Sequence, residues 1–363
     1  MSPLRVAFVS VVPSPYQRDL FGALAKRPEI ALDVYYLEAA APDSPWPEKP
    51  LAKYESILPG FWFSAGGARL HVNRPLPDPR KYDIVVMNSL ISLTAQWLMR
   101  FQLKGRRWYF WGERLAPRGA GFRQAVRDFI AAPLRGATGI AAIGTRAEAD
   151  YREKFPALSH FSIPYYCDLD PFLSQPRPAR SPGETVFLFC GQMIARKGVD
   201  LLIEAFSQLV EEKMNARLLL VGREAELPQF LEKATAAARA RITYAGFQPP
   251  GGLPGYFAQA DVFVLPSRYE GWGVVVNQAL GAGLPVICSD AVGAGHDLVE
   301  EEINGLKFEN GNAQALANKM RRFVTEPAFS AKLGEASKLK ARNWLPESGA
   351  EKWIQIFQST NVQ

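Results

Sequence analysis

The sequence offers few residues for a disulfide, a zinc site or a membrane span. Of its 363 residues, three are cysteine and three are histidine. Cys167, Cys190 and Cys288 are odd in number, far apart and in no metal-ligand spacing, which predicts reduced structural thiols and excludes a disulfide framework or a zinc site. No apolar run approaches the ~20 residues that a spanning helix requires, so an integral membrane protein is excluded as well.

The beginning of the chain also lacks a secretory signal. Met1 to Ser10 is a short strand-like run without a basic flank, a long apolar stretch or a small-residue cleavage site. We therefore expect a cytoplasmic protein. Hydrophobic residues make up 48% and charged residues 21% of the chain, which are the proportions of an ordinary globular protein.

Length and hydrophobic patterning predict two α/β domains, because domains usually span about 100 to 200 residues. Apolar, β-branched runs alternate with amphipathic stretches, as in a parallel sheet covered by helices, so we expect two doubly wound Rossmann-like domains. The predicted strands are Leu4–Ser10, Leu32–Leu37, Ile84–Asn88, Arg107–Trp111 and Gly139–Ile143, then Thr185–Cys190, Arg217–Val221, Ile242–Tyr244, Val262–Leu265 and Val286–Cys288. The predicted helices of the first half are Tyr16–Lys26, Leu90–Leu103 and Phe122–Leu134.

The domain boundary is predicted near residue 176. Pro171–Gly183 contains four prolines and a glycine, which cannot continue a helix or an inner strand, so this segment is the predicted linker. The first domain then covers 1–175 and the second 176–342. In the tail, 343–363, a predicted helix Pro346–Phe357 has Trp353 and Phe357 on one face, and we expect it to pack on the first domain.

A first loop of the second half, here called the 191–198 loop, has the composition of an anion site. It follows a strand and runs from Gly191 to Gly198, with Arg196 and Lys197 just before a predicted helix. Cations at a helix N-terminus are unfavourable unless an anion joins them, so this pair predicts a diphosphate site. In open α/β sheets ligands bind at such positions, beyond the carboxyl ends of strands. A solvated basic turn is the alternative.

A second loop, the 266–273 loop, runs from Pro266 to Gly273 after another predicted strand. Gly271 and Gly273 allow the backbone to approach a ligand, and the start of the following helix offers amides to a phosphate. Phosphates would repel Glu270, so we expect this carboxylate to accept hydrogen bonds from the neutral hydroxyls of a sugar. The alternative is an acid that satisfies the helix dipole.

Six ordered segments carry a resemblance to a known family. They are Gly191–Gly198, Leu219–Gly222, Tyr244–Phe247, Ala260–Ser267, Glu270–Gly273 and Ala282–Ile287. Together, from about Thr185 to Met320, they resemble the donor domain of the retaining glycosyltransferases of family four, of bacterial type, whose GT-B fold has two Rossmann-like domains facing a cleft.

The resemblance implies a donor site made from named residues. Arg196 and Lys197 would hold the diphosphate, in the loop that Gly191 and Gln192 open, and Glu270 would contact the transferred sugar. The remaining donor contacts implied are Gly246 and Phe247 near the base, and the backbone amides of Gly271, Trp272, Gly273 and Val274 at the phosphates.

The sequence departs from the family pattern at three positions. Gln278 stands at the second acid of the paired-glutamate motif, which binds the ribose hydroxyls, and its amide can still accept and donate hydrogen bonds there. Gln192 stands where an arginine is common. Glu113 follows a strand where the family has a histidine, so we predict a polar contact with sugar or acceptor; a salt bridge to Arg114 or Arg118 is the alternative.

The expected reaction needs neither a metal nor a protein nucleophile. Breaking the bond from sugar to diphosphate builds negative charge on the leaving group, which Arg196, Lys197 and the two helix starts would stabilise. Because we identify no Asp-x-Asp motif of the kind that holds a divalent ion, we expect no metal, and no cofactor beside the nucleotide diphosphate sugar substrate. The resemblance implies retention of configuration, with a donor phosphate oxygen taking the proton of the attacking hydroxyl of a glycan or lipid-linked acceptor.

The excess positive charge lies in one stretch of the first half. Between Arg100 and Arg135, nine Lys and Arg residues stand against Glu113 and Asp128, in a chain of formal net charge +6. An anionic membrane on the inner face of the cell, or a pyrophosphate-linked lipid carrier, is the partner that fits, because each cation near such a membrane adds roughly 1 kcal/mol. Nucleic acid is not expected, since the arginines lie in no recognisable binding module.

Apolar residues in the same stretch leave two interpretations open. Phe122, Val126, Phe129 and Ile130 give the predicted helix an apolar face. This face suits a membrane, and core packing explains it equally well.

Two other functions fit parts of this pattern. A nucleotide-sugar epimerase can share the two-domain architecture, although it would be expected to place acids and histidines in the cleft that this sequence does not show. A non-catalytic nucleotide-sugar binding protein would agree with Gln278 and would bind nucleotide without turnover. A glycosyltransferase of cell-surface polysaccharide or glycolipid synthesis is the function that the motifs favour.

Overall fold

A computed structural model of the protein describes residues 2–40, 49–66, 68–115, 120–178 and 183–359. Its contacts divide the chain into two units, Met1–Cys167 with Pro346–Gln363, and Asp168–Leu345. The division falls before residue 176, because the start of the predicted linker is a helix, Asp170–Leu173, whose Phe172 packs edge-on against Phe257 at 5.2 Å. Of that linker, 179–182 lies outside the described residues.

The first unit is built on a parallel sheet. Its elements up to residue 167 are β1 (Leu4–Ser10), α1 (Pro15–Ala25), β2 (Ile30–Tyr36), β3 (Glu55–Ile57), β4 (Gly60–Ala65), β5 (Ala68–Asn73), β6 (Ile84–Met87), α2 (Leu93–Trp97), β7 (Trp108–Gly112), α3 (Gly121–Ala131), β8 (Gly139–Ala142), α4 (Thr145–Lys154) and β9 (Ser159–Ser162). Seven of the described strands form the sheet in the order β3–β2–β1–β6–β7–β8–β9, with parallel neighbours. β6, β7 and β8 are buried throughout, as strands covered on both faces are.

The five predicted strands of the first half are confirmed, and four further strands are present. β3 spans three residues and β9 reads Ser-His-Phe-Ser, so neither shows an apolar run. β4 and β5 form an antiparallel hairpin outside the sheet, and every residue of β4 is exposed. A strand with two exposed faces lacks the alternation from which strands are predicted.

The predicted helix Leu90–Leu103 is shorter and irregular. The Ser92 hydroxyl accepts the Ala95 N–H at 2.9 Å, so α2 begins after this residue. Beyond Trp97 the chain continues as a π-helical turn, Leu98–Gln102. The predicted helix Phe122–Leu134 likewise ends early as α3 and continues as a 3₁₀ segment, Ala132–Gly136.

The second unit has a second parallel sheet. Its elements are α5 (Asp170–Leu173), β10 (Thr185–Cys190), α6 (Val199–Glu211), β11 (Ala216–Val221), α7 (Leu227–Glu232), α8 (Ala236–Arg239), β12 (Ile242–Tyr244), α9 (Leu253–Phe257), β13 (Val262–Leu265), α10 (Val275–Gly281), β14 (Val286–Ser289), α11 (Gly293–Leu298), β15 (Gly305–Phe308), α12 (Ala313–Thr325) and α13 (Pro327–Ala341). The order of the described strands is β12–β11–β10–β13–β14–β15, again parallel. The five predicted strands are β10 to β14; β15 was missed because Lys307 interrupts its short apolar run.

The tail helix, α14 (Pro346–Ser359), packs on the first unit, which confirms that prediction. The Trp353 ring is fully buried and meets Phe8 edge-on at 5.4 Å and Trp111 at 5.9 Å. The Arg107 guanidinium donates a hydrogen bond to the Phe357 carbonyl. In the described part of the chain, no helix combines the length and the apolar character needed to cross a bilayer.

Candidate functional site

The two loops singled out from the sequence lie side by side in the middle of the second sheet. β10 and β13 are neighbours, and the chain runs from β10 out to β12 on one side before it returns to β13 and continues to β15 on the other. This reversal of strand order is the topological switch point, beyond whose carboxyl ends parallel α/β sheets bind ligands. The 191–198 loop follows β10 and the 266–273 loop follows β13, so the topology brings them together.

A glycine permits the close contact between the two loops. Gly198 has a φ of +71°, and a Cβ at this position would lie 1.9 Å from the Pro266 carbonyl oxygen. Any other residue would therefore push the loops apart. The backbone N–H of Arg268 donates to the Arg196 carbonyl at 2.8 Å, which joins the loops a second time.

An arginine that sequence reasoning missed clamps the loops together. The Arg268 guanidinium donates to both carboxylate oxygens of Asp200 at 2.7 Å each and also to the Ala195 carbonyl. Burial raises the pKa of Asp200, but the hydrogen bonds and charge of Arg268 outweigh it and leave that pKa below its ordinary value. Because the two residues are 68 positions apart, no motif spacing could have linked them.

Lys197 and Glu270 form an ion pair between the loops. The Lys197 ammonium contacts the Glu270 carboxylate, and their side chains are 16% and 13% exposed. The Ser267 hydroxyl donates to the same carboxylate at 3.3 Å. Arg196 is exposed and donates to the Tyr269 carbonyl at 3.0 Å. Three of the four residues predicted to act in catalysis are thus within one cluster, with the carboxylate neutralised by the cation.

The Trp272 side chain belongs to the core of the second unit. It is 1% exposed, its indole N–H donates to the Asn277 side-chain oxygen at 3.0 Å, and its ring stacks on Trp344 at 5.9 Å. Gly293 packs so closely that a Cβ there would lie 2.1 Å from the Gly271 carbonyl oxygen. The Trp272 ring therefore packs in the core and holds the loop in position. The predicted donor contact is the backbone amide of this residue, not the ring.

The other predicted donor contacts lie at the same edge of the sheet. Gly191 follows β10, and Gly222 follows β11. A Cβ on Gly222 would lie 1.8 Å from the Gly191 carbonyl oxygen, so the two backbones are in contact. Gln192 and Phe247 are exposed, and the Gly246 carbonyl accepts the Gly222 N–H at 2.9 Å. Gly273, with a φ of +97°, and Val274 immediately precede α10, and Gln278 lies within this helix.

Gln278 presents an unsatisfied acceptor. Among the residues that the structure describes, its buried side-chain Oε1 atom has no hydrogen-bond partner. Buried polar atoms are nearly always paired, so an orphaned acceptor in a candidate ligand site is consistent with a donor supplied by the ligand.

Glu113 belongs to the first unit, whereas Arg196, Lys197 and Glu270 belong to the second. The Glu113 carboxylate, just after β7, accepts a hydrogen bond from the Tyr165 hydroxyl at 3.2 Å. Arg114, one of the two partners considered for it, pairs with Asp150 at 2.9 Å. The other, Arg118, lies outside the described residues. Burial, and next the charge of Glu113, raise the pKa of Tyr165 well above its ordinary value.

The expectation that the chain has no Asp-x-Asp motif is wrong. Asp168-Leu169-Asp170 is an Asp-x-Asp sequence, a spacing that can ligate a divalent ion. Here the Asp168 carboxylate accepts the Asp170 N–H at 3.0 Å, which places it at the start of α5 as a turn-forming group. Within the described ranges, no cluster of three or more His, Cys, Asp or Glu side chains could hold a metal.

The basic stretch of the first half is not one surface. Arg106 donates to the Pro79 carbonyl at 3.3 Å, and Arg107 and Arg114 make the contacts given above. Arg123 and Arg127 are exposed on α3. The stretch therefore divides between internal contacts and surface charge, because its residues belong to a strand start, a loop and a helix.

Residues 174–340 match the family model described as Glycosyl transferases group 1. An uncharacterised glycosyltransferase of Methanocaldococcus jannaschii is 30% identical over 148 residues, which cover 40% of this chain and 37% of that protein. Sucrose-phosphate synthase from Thermosynechococcus elongatus superposes with a TM-score of 0.76 at 22% identity over 98% of both chains. Anabaena HepE, solved with UDP and glucose, has a TM-score of 0.70 at 16% identity over 98% of this chain and 100% of that chain.

These matches confirm the resemblance and the fold class. Residues 174–340 match the group 1 glycosyl transferase model, as the ordered motifs indicated, and the structural neighbours share the GT-B fold over nearly the whole chain. The aligned stretch spans 37% of the first curated relative, so the activity of the whole chain does not follow from that match.

Proposed function

From the match of residues 174–340 to the group 1 glycosyl transferases, we propose that this chain transfers a hexose or related sugar from a nucleoside diphosphate sugar to a hydroxyl acceptor, with retention of configuration. The observation that carries the proposal is the ion pair of Lys197 and Glu270, which meet from two loops at the switch point of the sheet. The Lys197 ammonium can bind a diphosphate, and the Glu270 carboxylate can accept a hydrogen bond from a sugar hydroxyl.

Donor binding would exchange the partners of this ion pair. In the structure, Lys197 and Glu270 neutralise each other. A diphosphate that enters between the loops competes for the Lys197 ammonium, and exposed Arg196 supplies a second cation. The Glu270 carboxylate, released from Lys197 but still bonded to Ser267, then accepts a hydrogen bond from the sugar. The clamp of Arg268 on Asp200 keeps both loops in place during the exchange.

The nucleoside would lie beside the ends of β11 and β12. Gly246 and Phe247, which follow β12, would border the base, and the ribose hydroxyls would satisfy the unpaired Oε1 atom of Gln278. UDP and glucose are named with HepE, which makes UDP-glucose a reasonable first donor to test.

The proposed chemistry balances without a protein nucleophile. The bond between the anomeric carbon and the diphosphate oxygen breaks, and a bond from the acceptor oxygen forms on the same face of the sugar. The proton of the acceptor hydroxyl passes to a phosphate oxygen of the leaving group. Arg196, Lys197 and the amides of Gly271 to Val274 stabilise the developing negative charge, the task that a divalent ion would otherwise perform.

The acceptor proposed is a glycan or lipid-linked glycan of cell-surface polysaccharide or glycolipid synthesis, met on the inner face of the membrane. Glu113 is the candidate polar contact on the acceptor side, held by Tyr165. The exposed Arg123 and Arg127 supply positive charge that suits an anionic surface.

A donor screen tests the proposal. Nucleotide sugars are compared by thermal shift, since a ligand at a hundred times its Kd stabilises the fold by about 2.7 kcal/mol. The stabilising donor is then incubated with lipid extract and soluble glycans, and the products are analysed by mass and linkage. Transfer with retained anomeric configuration is expected. An epimerised or hydrolysed donor, or binding without any turnover, would replace this proposal by an epimerase or a binding protein.

A further inference from the structure

The outer face of α3 is apolar and lies at the surface. Phe122 is 83% exposed and Phe129 is 66% exposed, and Val126 lies between them on the same side of the helix. The helix buries only Ala131 among its described side chains. Core packing, one of the two interpretations left open by the sequence, is therefore wrong for these three residues.

Two further aromatic side chains continue this face. Trp97, at the end of α2, is 50% exposed, and Phe101 in the following π-helical turn is 59% exposed. Their rings contact each other with centroids 4.6 Å apart. The patch thus contains four large aromatic side chains that the described residues leave exposed.

Hydrogen bonds fix the two halves of the patch against each other. The Arg100 guanidinium donates to the Phe129 carbonyl at 2.6 Å and lies over the Phe129 ring, 4.2 Å from its centroid. The Gln96 side-chain amide donates to the Ile130 carbonyl at 2.9 Å. We call the surface formed by Trp97, Phe101, Phe122, Val126 and Phe129 the aromatic patch.

The charge around the aromatic patch is positive. Lys104, Arg123 and Arg127 are exposed on the same two segments, and Arg100 borders Phe129. The nearby acid Asp128 pairs with Lys154 at 2.7 Å, and this hydrogen bond lowers its pKa. A helix with bulky apolar residues on one face and arginines beside them is typical of a protein that lies in the interface of an anionic bilayer. Tryptophan prefers the same interface.

We propose that the aromatic patch inserts into the headgroup region of a membrane that contains anionic lipid, with Arg100, Arg123 and Arg127 at the phosphates. A second copy of the chain is a less suitable occupant, because its patch would carry the same positive charge. The inference goes beyond the proposed function by naming the docking surface, and it depends on neither the donor nor the transfer chemistry.

The test uses the full chain and sedimentation with liposomes. Vesicles of phosphatidylcholine with phosphatidylglycerol are compared with vesicles of phosphatidylcholine alone. The parent protein is expected to bind the anionic vesicles and to stay partly bound in high salt, because inserted apolar surface is not screened. Phe122→Ser with Phe129→Ser should weaken vesicle binding at least tenfold, since burial of one such ring is worth roughly a factor of ten or more.

Three controls make the result decisive. Leu339→Ser changes a 65% exposed apolar residue of the second unit and should leave vesicle binding unchanged. Arg123→Gln with Arg127→Gln should weaken the anionic preference, since Arg100 and Lys104 remain, and a melting curve checks that this variant is folded. Nucleotide affinity should be unaffected in every variant, which separates this inference from the donor site.

Two results would overturn the inference. One is a parent protein that does not sediment with anionic vesicles. The other is a double serine variant, folded as judged by its melting curve, that binds them as the parent does. Sedimentation velocity without lipid shows whether the parent instead forms dimers that the serine changes dissolve, which would make a second copy the partner and count against a membrane.

Discussion

Lys197→Ala should weaken the binding of a nucleoside diphosphate and also destabilise the second unit. The change removes the cation predicted to hold the diphosphate and leaves Glu270, whose side chain is 13% exposed, without its ion-pair partner. The substitution should therefore lower both ligand affinity and thermal stability, because the unpaired Glu270 carboxylate affects both.

The size of the affinity change follows from the contacts. A charge-assisted hydrogen bond contributes about 1.5 to 3 kcal/mol, and about 1.4 kcal/mol corresponds to a factor of ten. The parent protein must first separate Lys197 from Glu270, which offsets part of this gain. In Lys197→Ala, however, the unneutralised carboxylate repels the phosphates. We expect at least roughly tenfold weaker binding.

A double-mutant cycle with Glu270→Gln isolates the ion pair. Because the amide of glutamine neither repels phosphate nor requires a cation, Lys197→Ala with Glu270→Gln should regain part of both the affinity and the stability lost in Lys197→Ala alone. Contacting residues in such cycles couple by about 0.5 to 3 kcal/mol. Additive effects would mean that the two side chains do not share one site.

Calorimetry with a nucleoside diphosphate in excess EDTA measures affinity, and a melting curve accompanies each variant. Lys233→Ala, an exposed lysine of the same unit, serves as the matched control and should behave like the parent. Affinity that survives Lys197→Ala, or that disappears from the parent on chelation, would refute the assignment of the diphosphate site to the protein's own cations.

Further predictions concern neighbouring residues. Glu270→Gln should reduce turnover at least about tenfold while the affinity for the bare nucleoside diphosphate is kept or increased, because Lys197 no longer has to leave a carboxylate, and an equal loss of both would identify a loop-supporting role. Gln278→Glu should strengthen ribonucleotide binding several-fold but not the binding of the 2′,3′-dideoxy analogue. Arg268→Ala should lower the melting temperature near neutral pH; because Arg268 lowers the pKa of Asp200, this stability is present above about pH 4 and is lost as the pH falls through the folded pKa, so the variant and the parent should converge in acid. Burial raises the pKa values of Cys190 and Cys288 to about 12, so a thiol reagent at pH 8 should reach them only after unfolding, and rapid labelling of the native protein would contradict this.

The local sequence pattern was sufficient to predict most strands and the two loops of the candidate site. β10 and β13 begin and end at the predicted residues, because each is a compact apolar run bounded by polar or turn residues. The site at the ends of β10 and β13 was predictable for a related reason. Parallel strand order has few solutions, and its switch point fixes which loops must meet.

Local pattern was not sufficient where a residue's role depends on what lies across from it. Trp272 stands in a glycine-rich loop like a ligand contact, yet its ring meets Trp344 and is buried. Arg107 appears in a basic run, yet it bonds to the last turns of the chain. The Asp-x-Asp spacing of Asp168 and Asp170 serves a turn. In each case the deciding partner is a distant residue or a backbone group.

The sequence by itself determined the two α/β domains, the donor-type motifs and the residues Arg196, Lys197 and Glu270, because apolar periodicity and ordered motifs are properties of the chain. Tertiary structure alone decided that Lys197 pairs with Glu270, that Arg268 clamps Asp200, and that Phe122 and Phe129 face outward. The reason is physical: an amphipathic helix has the same pattern whether its apolar face meets a core or a partner, and an ion pair exists only once folding has placed its two ends together.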